Sequence, residues 1–191
     1  MQLKDIKNNH LLSALFLAIA FFFASCEKYE DKANKDWDGD EFYCNDPEAV
    51  NYNWGFPGEI NDSLCIYPTE LFVGDWIMID TVFNDTLAII DIQQRAVSFV
   101  NKSDDSLNHL IELEGYCEDH STIIFQANRF MLASVLDILV DDLGQLDCDG
   151  ESIITGFIRT QSLQSDTLYL QLMKRTAQDE NFMIKGVAFK N

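Results

Sequence analysis

Few side chains in this chain are of the kinds that move protons, bind metals or attack carbonyl groups. Beyond the first apolar stretch only His109 and His120 remain as imidazoles, and they flank Cys117. Zinc held by that trio would need Cys117 as a thiolate. We expect no metal there, with His109 at the start of a strand and His120 in a loop. Asp91, Glu112 and Glu114 could supply a glycosidase-like pair of carboxylates. Glu112 and Glu114, however, alternate with Ile111 and Leu113, which turns them toward solvent or toward a polar interior. No Gly-x-Ser-x-Gly elbow, phosphate loop, dinucleotide fingerprint or His-Glu-x-x-His motif occurs. No catalytic residue is assigned, and no enzyme is expected.

Cys26 is the thiol with the most distinctive setting. Lys4 and Lys7 outweigh Asp5, and Leu11 to Ala24 then runs almost without a polar atom. That length suits the apolar region of a secretory signal, roughly 7–15 residues, and falls short of the roughly 20 needed to span a bilayer. Phe23-Ala24-Ser25 leads directly into Cys26. This resembles the lipobox of bacterial lipoproteins, with Phe23 where leucine is usual. The resemblance implies cleavage before Cys26, a diacylglycerol on its sulfur, and a further acyl chain such as palmitate on the new amino terminus. Two or more chains give stable anchoring where one is marginal.

The chain of 191 residues carries a formal charge of −19. Cleavage would remove Lys4, Lys7 and Asp5, leaving the mature protein more acidic still. Such a field repels phosphates, so no nucleic-acid partner is expected. Residues 27–43 are rich in acids, among them Glu30-Asp31 and Asp36-Trp37-Asp38-Gly39-Asp40-Glu41. They bury little apolar area and read as a solvated tether. An acidic patch just after an acylated cysteine also resembles the surface-export signal of Bacteroidetes lipoproteins. That resemblance implies an outer-membrane protein held at the cell surface; the alternative is a plain spacer.

Four cysteines remain, and four allow three pairings. Nearest-neighbour pairing, Cys44–Cys65 and Cys117–Cys148, closes two separate loops without crossing between modules. The first loop opens Cys44-Asn45-Asp46-Pro47-Glu48-Ala49-Val50-Asn51-Tyr52-Asn53 and ends Asn61-Asp62-Ser63-Leu64-Cys65. It resembles a short cysteine module common in exported Bacteroidetes proteins. Asp46-Pro47 and Pro57-Gly58 are turn formers. Too short to build a core, the loop needs its disulfide. We expect no cofactor; Ca²⁺ held by the module's many side-chain oxygens is the alternative to their capping turns. Asp36-x-Asp38-Gly39-Asp40 and Asp147-Cys148-Asp149-Gly150-Glu151 lack the ligand pattern of an EF-hand and read as acidic turns.

Downstream, apolar residues recur with period two. Strands are expected over 72–80, 86–92, 95–101, 109–116, 121–126, 152–160, 167–174 and 182–189. Leu168, Leu170 and Leu172 share a face, which we place inward because Gln171 and Lys174 beside them favour water. Arg129 to Leu146 breaks the pattern: Leu132, Val135, Leu136, Leu139, Val140 and Leu143 recur at helical spacing before Gly144. An amphipathic helix is expected there, the alternative being a strand over 137–140. Eight strands with short links predict a mainly β domain, an antiparallel barrel or sandwich. Phe72-Val73-Gly74-Asp75-Trp76 resembles the Gly-x-Trp opening of lipocalins. That resemblance implies a barrel plugged at one end by Trp76 beneath a basic residue, with Lys174, Arg175 and Lys185 as candidates.

The expected organisation is a signal over 1–25, a tether over 26–43, a stapled module over 44–68 and a lipocalin-like domain over 69–191. Its expected partner is the membrane, through lipid on Cys26. Two functions are compatible with this: a non-catalytic interaction or structural module with a filled barrel, or a carrier of a small apolar ligand. Abundant Phe, Leu and Ile favour the filled barrel.

Overall fold

Alternation of apolar and polar side chains governs nearly all of the folded chain. The computed structural model describes residues 42–53, 58–105, 109–118, 121–139 and 143–191. All belong to the second of two units, Met1–Asp38 and Gly39–Asn191, into which the chain divides. The leader, Cys26, the tether as far as Glu41, His120 and Val140 lie outside the described residues. Short strands β1 (Phe42–Tyr43) and β2 (Glu59–Ile60) pair in parallel within the cysteine module, so the last two tether residues belong to it. The barrel strands are β3 (Gly74–Phe83), β4 (Ile89–Asn101), β5 (Leu110–Glu114), β6 (Ile123–Asn128) and β7 (Leu132–Val135). They continue as β8 (Gln145–Leu146), β9 (Ile153–Arg159), β10 (Thr167–Arg175) and β11 (Asn181–Lys190).

Neighbours in this series pair antiparallel, and β11 returns to β3. β7 and β8 flank the same side of β9, one at Ser134↔Phe157 and the other at Gln145↔Ile154, and act as two pieces of one stave. The result is a closed, up-and-down barrel of eight staves, as expected for the fold class. Two expectations about its parts are corrected. The strands expected over 86–92 and 95–101 are one: Gln93 and Gln94 interrupt the apolar rhythm but keep pairing, with Asp80 and Ile79. The described part of the helix expected over Arg129–Leu146 is instead the Asn128 turn, β7, irregular residues 136–139 and β8. The strand alternative over 137–140 fails too, because Asp137–Leu139 is irregular. The leucine spacing marks no single buried stripe: Val135 is buried, whereas Ile138 and Leu143 are exposed. Closure decides the outcome, since β6 and β9 each need a partner on this side and β7 supplies it.

Inward positions pack large against small. Leu168, Leu170 and Leu172 face the interior as expected and are buried with Trp76, Met78, Phe99, Leu113, Phe125 and Ile158. Burying each such side chain contributes roughly 1.5–3 kcal/mol. Leu170 lies opposite Gly186, Leu172 opposite Gly156 and Leu168 opposite Ala188. Gly156 has φ +123°, and a Cβ there would stand 2.3 Å from the Gln171 carbonyl oxygen. Only glycine lets β9 and β10 approach so closely beneath Leu172.

Candidate ligand site at the barrel mouth

The two ends of the barrel differ. One is closed by Phe72 and Trp76, both buried, with the Trp76 Nε1–H donating to the Phe72 carbonyl at 2.8 Å. A basic residue does cover the indole, but it is Lys190, whose Nζ stands 5.7 Å from the ring centroid. Antiparallel pairing of β11 with β3 sets Lys190 opposite Trp76. Lys174 and Arg175 end β10 at the other mouth, and Lys185 lies near Thr81. The cysteine module sits beside the closed end: Arg129 donates to the Pro47 carbonyl at 3.0 Å, and His109 pairs with Glu48 at 3.5 Å.

Cys44–Cys65 and Cys117–Cys148 are both bonded, as expected. Several of the module's side-chain oxygens bond within the module, capping turns or bridging its segments. Asp46 accepts from the Glu48 N–H and the Tyr67 hydroxyl, Asn51 bridges Leu64 and Ile66, and Asn61 caps Ser63. That use matches turn capping, the simpler of the two readings of these oxygens. Cys117, bonded to Cys148, offers no thiolate to His109.

The other end is open. A cavity of about 650 Å³ lies between the distal halves of β3, β4, β10 and β11 and the segments around Tyr116 and Cys148. β5 pairs with β4 only from Ser98 to Asn101, so the wall parts beside Arg95. Val82, Ile90, Phe182 and Ile184 give the cavity an apolar side. Asp80, Arg95, Tyr116, Asp147 and Lys174 converge on it from five different segments, and the Cys117–Cys148 bridge holds two of these segments together.

These polar groups are tightly tied. Asp80, only 1% exposed, meets Arg95 through Oδ2 at 3.3 Å. Arg95 also donates to the Tyr116 carbonyl at 2.8 Å and stacks 4.4 Å from the Tyr116 ring centroid. Lys174 Nζ reaches Asp147 Oδ2 at 2.6 Å and Asp149 Oδ2 at 2.9 Å. Yet the second oxygen of each buried acid, Asp80 Oδ1 and Asp147 Oδ1, receives no hydrogen bond among the described residues. Burial raises the Asp80 carboxyl, with the Arg95 charge opposing. Burial also pushes the Tyr116 phenol up, and the charges of Asp80 and Asp147 add to the shift. Burial alone would lower Lys174, but its bonds to Asp147 and Asp149 outweigh that and raise it. The Ser152 hydroxyl, aided by the Ser152 and Glu151 N–H groups, holds Asp149 well below the usual carboxylate range.

Of the carboxylates considered from sequence, Glu112 and Glu114 lie on the outward face of β5 and Asp91 stands at the lip of the mouth. The cluster itself was not anticipated. Its signal was parity: Asp80 keeps phase with Trp76 and Met78, Arg95 with Val97 and Phe99, and Lys174 with Leu172. Lys174 therefore belongs to the inward face, not to the water-facing one assumed above. A charged residue in phase with a buried stripe marks a polar interior. No protein-family model matches the chain, and no curated protein matches its sequence.

Proposed function

We propose that this protein is a lipid-anchored, non-catalytic binding module of the bacterial cell surface, with a lipocalin-like barrel that takes a small ligand at its open mouth. The cavity carries this reading: one apolar side, a few convergent polar groups and a volume typical of small-molecule sites, roughly 300–1,000 Å³. The carrier alternative is thereby narrowed. The interior around Trp76, Phe99 and Phe125 is filled, so a ligand would occupy the mouth rather than the full lumen. Against catalysis, the described lining holds no histidine, its two sulfurs are bonded to each other, and burial pushes its one phenol up, away from the range in which it would exchange a proton readily.

The anchor is supported by Phe23-Ala24-Ser25-Cys26 behind an apolar leader. Two measurements test the proposal. Metabolic labelling with a fatty-acid probe should mark the wild type and not Cys26→Ala; labelling of the variant would defeat the anchor. The neutral fluorophore N-phenyl-1-naphthylamine should bind saturably at one per chain. Val82→Trp, which fills the mouth, should abolish binding, and undiminished binding by that variant would defeat the mouth as the site.

A further inference from the structure

We infer that the mouth selects an organic ammonium: a primary amine or amino-bearing compound with an apolar flank. The inference rests on the mouth being a ligand site, and it names the ligand's chemistry. Asp80 Oδ1 and Asp147 Oδ1 are acceptors enclosed by protein and reached by no donor among the described residues. A buried acceptor left without a donor costs on the order of 1–3 kcal/mol, more when it is charged. Both belong to side chains more than nine-tenths buried that line the cavity. Both line the same cavity together with Tyr116. What they lack is an N–H donor, ideally one carrying positive charge, since charge-assisted hydrogen bonds are the strong ones.

Charge balance points the same way. Five carboxylates line the mouth against two cations, Arg95 and Lys174. Both cations are already committed, Lys174 to two carboxylates and Arg95 to Asp80, a carbonyl and a ring face. An anionic ligand would have to displace those partners and enter a net negative site, whereas an ammonium completes it. Among the described residues no group of three acidic, histidine or cysteine side chains could hold a metal ion. The apolar lining of Val82, Ile184 and Phe182 suits a cation with a carbon portion to receive, hence an organic one. The chain's charge of −19 would draw such a ligand toward it.

Four probes built on an unbranched six-carbon chain separate the possibilities by calorimetry on the full chain: n-hexylamine, hexan-1-ol, hexanoate and hexyltrimethylammonium. Comparing variants with wild type cancels any partition into the detergent that keeps the leader soluble. Hexylamine should bind at least about tenfold more tightly than the other three, because only it brings both charge and N–H donors. Asp147→Asn and Asp80→Asn should each weaken it by about tenfold or more, and the outward Glu114→Gln should leave it unchanged. Should Asp80→Asn fail to fold, Asp147→Asn and the probe series still decide. Hexanol or hexanoate binding as tightly as hexylamine would overturn the ammonium assignment while leaving the mouth a ligand site. Hexyltrimethylammonium binding equally would overturn the hydrogen-bond argument. Saturable binding by none of the four would overturn both the assignment and the site.

Discussion

Leu170→Ala should cost about 4 kcal/mol. The side chain is 4% exposed and sits in the buried core. Truncation removes about three carbon groups, worth roughly 0.8 kcal/mol each on transfer, or about 2.4 kcal/mol. The remainder is a cavity cost of roughly 24 cal/mol per Å³, about 1.5 kcal/mol if some 60 Å³ stays open. Relaxation is restricted here. On one side Leu170 faces Gly186, which has no side chain to move into the gap. Gly186 is itself backed closely by β3, for a Cβ built on it would lie 3.0 Å from the Ile79 carbonyl oxygen. On the other side lies Ile158, fully buried. The assay is urea unfolding with both disulfides intact, where the midpoint should fall and the slope stay constant. The outward Gln171→Ala, one residue along the same strand, should stay within about 0.5 kcal/mol of wild type. A loss below about 1.5 kcal/mol for Leu170→Ala, or equal losses for the two variants, would refute the packed interior.

Gly156→Ala should prevent folding or cost several times more than an exposed substitution, read by circular dichroism, because φ +123° and the Gln171 carbonyl at 2.3 Å leave a Cβ no room. Replacing Cys117 and Cys148 together by serine should lower stability by about 3–4 kcal/mol in urea titrations, the loop-closure value for their separation of 31 residues. It should weaken ligand binding at the mouth as well. Asp80 is raised by burial above the unfolded value of about 3.9, so its favourable contribution is complete below that pH and fades as pH climbs through the raised value. Asp80→Asn, measured against wild type by unfolding at pH 4 and pH 7, should therefore gain relative stability at the higher pH; a flat or opposite trend would contradict the burial argument.

Most of the barrel was legible because strands announce themselves through parity, and the leucines of β10 are the clearest case. Where legibility failed, tertiary demand overrode local pattern. Residues 132–139 carry leucines at helical spacing, yet the sheet between β6 and β9 required a strand there, and no window of sequence reports that requirement. Gln93 and Gln94 looked like a break because polar residues end most strands, but they stand at the mouth, where the wall meets water. The covering lysine was misassigned because distance along the chain does not reveal register; Lys190 reaches Trp76 only through the β11–β3 pairing that closes the barrel. The mouth cluster was hidden for a related reason. Asp80, Arg95, Tyr116, Asp147 and Lys174 are scattered along the chain and follow no motif. Each was readable singly as a polar residue in an inward phase, but their convergence depends on closure and on the Cys117–Cys148 bridge.

Whether the mouth receives a ligand is tested most directly by following backbone amide and indole resonances while hexylamine is added. The account predicts shifts confined to Asp80, Arg95, Tyr116, Asp147, Lys174 and Ile184, saturating at one ligand per chain, with the Trp76 indole N–H unmoved. Shifts centred on Trp76 and Phe72, or spread over the outward faces without saturation, would contradict it.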